Sequence, residues 1–343
     1  MTLFTRTAGK YLVTLCCAAT VCWLWKDLPE DPPAIRTIYH DTMAVFGEGE
    51  ALLSPKTTDQ ASKEINPHPY QFIINKPDLC KVPEGQELLV VILVASKADN
   101  FPFRKRIRDT WGDVAINHGF KVAFLLGLPR QNSTRNKILA EDAEHKDLIQ
   151  EDFADSYQNL TLKTVMLVRW VTEYCPKVKF VLKADEDVMV NVWSLWVQVQ
   201  TSLRGCEETI WGRLMRNMPP VRNSRNKWFV PESMYEAKVY PDYVAGPAYL
   251  FTGDCAPLLY TASMTTPFLT MEDVYMTGVV ATKVGIVRVR HPGINGGPKE
   301  LVPCGEPPVL CRGFSGSVAA PSPFIDYWER VATKNKSFRC KLP

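Results

Sequence analysis

A mostly parallel α/β sheet flanked by helices is the fold class this sequence predicts, and three observations predict it. Short continuous apolar runs at Leu88–Ala95, Val122–Leu128 and Val178–Asp185 have the length and content of strands covered on both faces. Segments with helical spacing separate these runs, the alternation that builds a three-layer parallel sheet. No internal repeat competes with this reading. A glycine-rich phosphate loop is also absent, since neither GxGxxG nor GxxxxGK[ST] occurs.

In chain order, the opening feature is an uncharged run from Tyr11 to Trp25, preceded by Arg6 and Lys10 and followed by Lys26. As a helix it spans about 22 Å, short of a hydrocarbon core of about 30 Å, and snorkelling by the two flanking lysines closes the gap. A cleaved signal peptide is the rival, but no small-residue cleavage site follows Trp23-Leu24-Trp25. The reading is therefore a cytoplasmic tail at 1–10, a transmembrane signal-anchor at 11–25, and a body on the far side of the membrane. Sequons at Asn132, Asn159 and Asn335 accord with that placement as N-glycosylation sites. Seven cysteines lie beyond the apolar run, with no CxxC spacing or histidine cluster to suggest zinc, so disulfides in an oxidising compartment are expected. Seven is odd, which leaves one thiol free or paired between chains, and with it room for a homodimer. The net charge of +3 and scattered basic residues give no case for nucleic acid.

Residues 26–66 are rich in Pro, Thr, Ser and acidic residues without a sustained period, as in a flexible stem. The body, residues 67–343, then reads as a strand at 88–95, a helix over Arg104–His118, and a strand at 122–128. A helix over Arg135–His145, a long helix over Leu160–Cys175 and a strand ending at Asp185 follow. Further on, Glu272 and Asp273 stand at the start of a helix running to about Val284. Thr270-Met-Glu-Asp273 there resembles a capping box, and acids at a helix start are ordinary.

The strand ending at Asp185 runs into Asp185-Glu186-Asp187, three carboxylates at the kind of strand end where α/β sheets bind ligands. In extended chain Asp185 and Asp187 share a face while Glu186 points away. Two like charges held together call for a cation between them, and a divalent ion with oxygen ligands and open positions suits a nucleotide diphosphate. A solvated acidic turn is the bland alternative. An EF-hand is excluded because Met189 and Val190 occupy the positions that need an oxygen donor and glycine. A phosphatase with an aspartyl nucleophile stays open on the motif alone, and the lumenal placement argues against it.

Six ordered blocks carry a family resemblance. They are Arg104-Lys-Arg-Ile-Arg-Asp-Thr-Trp-Gly112, Phe124-Leu-Leu-Gly127, the stretch Glu151 to Thr164, Lys183-Ala-Asp-Glu-Asp187, Tyr240-Pro-Asp-Tyr243 and Glu272-Asp-Val-Tyr275. Together they closely resemble the β-1,3-glycosyltransferases of glycosyltransferase family 31 over roughly Asn66 to Cys340. Asn66–Asn75 and Arg225–Pro231 look most like the β-1,3-galactosyltransferase branch. The resemblance implies a GT-A-like fold, a Rossmann-type mostly parallel sheet, in a Golgi type II membrane protein. It also implies a UDP-galactose donor, Mn2+, inversion, and a glycan acceptor on glycoprotein or glycolipid. By the same resemblance, Asp187 ligates the metal and Asp185 serves the ribose or the metal's outer shell. Asp273 is the base, with Glu272 second. The donor-binding set is Arg104, Arg108, Lys183, Asp185 and Glu186, although a solvated basic face explains the two arginines equally well. Trp228 and Tyr249 fall on the acceptor side. Two departures stand out. Pro247 replaces part of a glycine-rich pair, and the stretch Ser317–Ala320 lacks the histidine many relatives carry, leaving His291 as third metal ligand. A transferase of GlcNAc or GalNAc, or a noncatalytic glycan-binding relative, are the alternatives.

Overall fold

The computed structural model describes residues 64–291, 293–295, 310–312, 328, 329 and 332. The tail, the 11–25 run, the stem up to residue 63, Asn335 and the stretch 317–320 lie outside the described residues. Among the described residues no helix is long and apolar enough to cross a membrane. The chain divides at Lys63/Glu64, and the second unit runs from Glu64. Its backbone is engaged from Ile65, because the N–H groups of Ile65 and Asn66 both donate to the Met264 carbonyl at 3.0 Å.

Eight strands form the main sheet in the order β1-β4-β3-β2-β5-β10-β7-β11. They are β1 (Phe72–Ile74), β2 (Val90–Ala95), β3 (Lys121–Leu128), β4 (Leu148–Ala154), β5 (Phe180–Asp185), β7 (Thr209–Gly212), β10 (Ala248–Thr252) and β11 (Val287–Arg290). Strands β4, β3, β2 and β5 run parallel to their neighbours, β10 is antiparallel to both β5 and β7, and β1 closes one edge antiparallel. On β2 the period of two sends Val91 and Leu93 into one core and Val90, Ile92 and Val94 into the other. Helices α4 (Leu160–Tyr174) and α6 (Cys255–Met264) and the helical run from Glu272 cover the first face. Helices α1 (Phe101–Ile107), α2 (Asp113–Asn117) and α3 (Asn132–His145), together with α5 (Val192–Gln200), contribute to the second. A three-layer α/β unit results, as the alternation of runs predicts.

Two small sheets complete the body. Strand β6 (Val188–Val190) pairs antiparallel with β13 (Leu310–Arg312), itself parallel to β12 (Ile294–Asn295), while β8 (Leu214–Met215) pairs with β9 (Tyr243–Val244). Three local differences from the sequence reading have physical causes. Strand β4 was not expected, because Gln150, Glu151 and Asp152 mask its pattern. Glu151 is nonetheless buried, and its charge is met by Arg169 at 3.1 Å and by His68 at 2.5 Å. The expected helix from Arg104 to His118 contains a π-helical turn, Arg108–Gly112, with Thr110 kinked to φ −127°, ψ −113°. The expected capping box is not formed: Thr270 Oγ1 turns to Met234 Sδ, and Asp273 caps its own run by accepting from Val274 N. Cys80 and Cys175 form a disulfide across 95 residues.

Candidate active site

Strand β5 carries Val181, Lys183 and Asp185 towards the face covered by the helical run from Glu272. Lys183 is buried, and its ammonium donates to Asp185 Oδ1 at 2.6 Å and to the Gly246 carbonyl at 2.5 Å, with Glu272 Oε2 at 3.5 Å. Burial alone would lower the Lys183 pKa, but the carboxylates of Asp185 and Glu272 outweigh it and hold the ammonium charged above its usual range. Strand β10 brings Tyr249 directly opposite Lys183, and its hydroxyl donates to Glu272 Oε1 at 2.7 Å. Burial beside Glu272 pushes the Tyr249 hydroxyl well above its ordinary pKa.

Asp273 sits one residue on. Its Oδ2 accepts from Gly246 N at 2.8 Å and its Oδ1 from Val274 N at 2.9 Å. Burial raises the pKa of both acids, an effect the Lys183 charge and the Tyr249 hydroxyl oppose at Glu272 and the two backbone N–H groups oppose at Asp273. Gly246 is what lets the β9–β10 turn come so close. A Cβ there would stand 3.1 Å from Glu272 Oε2 and 3.2 Å from Asp273 Oδ2. Asp185, Lys183, Gly246, Tyr249, Glu272 and Asp273 thus form one network at the carboxyl end of β5.

The other expected site residues are placed differently. Glu186 points away from Asp185, as alternation requires, and staples the β2–α1 loop by accepting from Ser96 Oγ (2.6 Å), Lys97 N (3.1 Å) and Asn100 Nδ2 (2.5 Å). Burial raises its pKa against those three donors. Arg104 is wholly buried and directs its guanidinium to Glu141, Ser96 and the carbonyls of Lys97 and Ala98. Arg108 grips Asp147 through two bonds of 2.7 Å and Glu141 through a third. Neither guanidinium presents a fork to a phosphate here, because the acidic partners on α3 and the α3–β4 turn engage it. Lys183 is likewise turned inward, and Tyr249, expected on the acceptor side, is buried as the support of Glu272. Trp228 is 46% exposed, with the Lys227 ammonium 4.6 Å above its ring.

Asp185, the last residue of β5, and Asp187, on the turn to β6, are half-buried, and Asp185 Oδ2 has no partner among the described residues. As hard oxygen donors they fit a divalent ion that keeps positions open for a ligand. His291 does not join them. Among the described residues no three His, Cys, Asp or Glu side chains cluster to hold a metal. The Nδ1 of His291 accepts from Gly293 N at 3.1 Å, which puts the ring proton on Nε2, and burial depresses its pKa to about 4. Of the sequons, Asn132 is exposed at the start of α3, whereas Asn159 donates its amide to the Ala154 carbonyl.

Two residues of the Glu151–Thr164 block organise the neighbouring strand ends. Asp155 accepts from Ala98 N (2.9 Å), Gly127 N (3.2 Å) and the buried Lys163 (2.9 Å), which also donates to the Ser96 carbonyl at 2.6 Å.

A half-buried acidic turn and the Glu272–Asp273 pair thus lie together at the carboxyl end of β5, the part of an α/β sheet where ligands bind. Residues 103–292 match the galactosyltransferase family model. Human beta-1,3-galactosyltransferase 1 is 37% identical over 236 residues, covering 68% of this chain and 71% of the relative. Human lactosylceramide 1,3-N-acetyl-beta-D-glucosaminyltransferase is 36% identical over 246 residues, 68% of this chain and 64% of the relative. A crystal structure of the galactosyltransferase LgtC with donor and acceptor sugar analogues overlaps 72% of this chain and 96% of that one, at 11% identity and a TM-score of 0.37. The chain belongs to the galactosyltransferase family and is a glycosyltransferase. The resemblance to β-1,3-glycosyltransferases read from the six blocks holds.

Proposed function

We propose that the protein is a Golgi-anchored, Mn2+-dependent β-1,3-galactosyltransferase. It moves galactose from UDP-galactose, with inversion, to a terminal GlcNAc or GalNAc of a glycoprotein or glycolipid glycan, on a GT-A-like fold. The observation that carries this reading is the joining of Asp185, in the Asp-Glu-Asp motif, to the Glu272–Asp273 pair through Lys183 and Gly246. Donor-side and base-side carboxylates on one rigid network are what a single displacement at a sugar carbon requires.

Asp187 and Asp185 are the residues that would hold Mn2+. Bound there, the ion supplies positive charge against the departing diphosphate. Asp273 takes the proton of the acceptor hydroxyl. It is partly exposed, both its oxygens are aimed by backbone N–H groups, and burial makes it a stronger base than a solvated aspartate. Glu272, 8% exposed and bonded to Tyr249, supports it from behind. Trp228 offers an exposed ring on which an acceptor sugar stacks.

The near-equal identity to a relative named as an N-acetylglucosaminyltransferase favours GlcNAc transfer as the second reading. UDP release from UDP-galactose, UDP-GlcNAc and UDP-GalNAc, each with a GlcNAc or GalNAc glycoside and with or without Mn2+, decides between them. Release from UDP-galactose only with Mn2+ is the expected result, and preferential release from UDP-GlcNAc or UDP-GalNAc reassigns the donor. No release from any donor by folded protein leaves a glycan-binding relative.

A further inference from the structure

Lys183 is an unusual residue for its place. It lies within a central strand, its cross-strand neighbours are Leu93 and Tyr249, and it is 3% exposed. Stripping water from an ammonium is costly unless acceptors replace it. Its three N–H groups meet three oxygens from three separate segments. These are Asp185 at the end of β5, Gly246 in the β9–β10 turn, and Glu272 at the start of the helical run. Gly246 then passes the constraint on, since the residue whose carbonyl binds Lys183 donates its N–H to Asp273 Oδ2 at 2.8 Å. The Asp185 N–H closes a further link by donating to the Pro247 carbonyl at 2.8 Å. A short chain of bonds therefore runs from Asp185 through the ammonium and the backbone of Gly246 to Asp273.

We propose that Lys183 is a positioning residue that holds the donor-side carboxylate Asp185 and the base Asp273 in register with one another. The role rests on the assignment of those two carboxylates under the proposed function. Lys183 is buried among protein oxygens, so its action is through Asp185 and Gly246. Without it, Asp185 loses the contact that orients it as a metal-side ligand, and the Gly246 turn loses the anchor that aims its N–H at Asp273. Groups that orient a metal ligand in this way are commonly worth about 10–100-fold in metal affinity.

The test compares wild type, Glu272→Gln and the double variant Lys183→Met/Glu272→Gln. The double variant loses one charge of each sign, so no lone carboxylate stays buried at Glu272 and folding is preserved. Two readouts independent of turnover are measured, UDP affinity by calorimetry with and without Mn2+, and amide hydrogen exchange across residues 244–249. Relative to Glu272→Gln at a similar melting temperature, the double variant should bind UDP with Mn2+ at least about tenfold more weakly. It should also lose exchange protection in the Gly246 turn. A merely structural lysine would shift the melting temperature and leave both readouts equal to Glu272→Gln. If either readout is unchanged in the folded double variant, the coupling is overturned. If wild-type UDP affinity is itself indifferent to Mn2+, the donor-site assignment beneath the proposal fails instead, and the two failures are distinguishable.

Discussion

Asp273 shows what one residue owes to its neighbours. A carboxylate at a helix start ordinarily complements the helix dipole, worth about 0.3–1 kcal/mol. Here each oxygen is fixed by a backbone N–H, and burial raises the pKa. Asp273→Asn preserves size and one of those bonds but cannot take a proton. Turnover should fall by about 10²–10⁴ while UDP affinity stays within twofold and stability drops by about 1 kcal/mol. Turnover close to wild type would move the base to Glu272, tested by Glu272→Gln. The pH dependence carries a definite sign. A base must be ionised, so kcat/KM should collapse as pH falls through the raised Asp273 pKa, with an acid limb above the ordinary aspartate value of about 3.9. Stability runs the other way. A carboxyl whose folded pKa is raised stabilises the fold fully below its unfolded pKa and loses that contribution as pH rises through the folded value. Asn does not titrate, so the gap between denaturant melts of wild type and Asp273→Asn should widen as pH falls from 8 to 4.

Among the elements, the β9–β10 turn and the helical run from Glu272 make the site, and Gly246 decides how closely they meet. Adding a Cβ there places a carbon 3.1–3.2 Å from carboxylate oxygens of both acids. Gly246→Ala should cut turnover by at least about tenfold, because misplacement of a positioned group by a few tenths of an ångström is costly in a preorganised site. Wild-type turnover in a folded Gly246→Ala variant would show that the contact is dispensable. The elements were unevenly legible. Strands β2, β3 and β5 could be read because burial on both faces leaves continuous apolar runs. Strand β4 could not, because its buried Glu151 is balanced by Arg169, which lies on a different element. The π-helical segments Arg108–Gly112 and Val274–Val280 have no periodic signature of their own.

At the scale of the molecule, the Cys80–Cys175 bridge ties the β1–β2 connection to the end of α4, next to the amino end of β5. Closing 95 residues, it should contribute about 2–5 kcal/mol, and Cys80→Ser should lower the melting temperature while leaving UDP affinity at low temperature intact. Lost affinity at a temperature where the variant is folded would show that the bridge acts on the site directly. For the chain in cells, the proposed anchor at 11–25 predicts retention in membranes after alkaline carbonate washing. Secretion of a product beginning near residue 26 would sink it. Deglycosylation should shift the band, with Asn132→Gln removing more of the shift than Asn159→Gln, since Asn159 already uses its amide within the fold.

By itself the sequence determined the α/β class, the acidic turn at a strand end, the acid pair at a helix start and the family, because these lie in local periodicity and in short contiguous motifs. Tertiary structure alone decided where the long side chains point. Arg104 meets Glu141 across 37 residues, Lys183 meets Gly246 across 63, and Lys183 approaches Glu272 across 89. A lysine or arginine in a motif shows that a charge is present. Whether that charge faces a phosphate or a buried carboxylate depends on which partners the fold delivers, since desolvation forbids it to remain unpaired once the sheet closes over it.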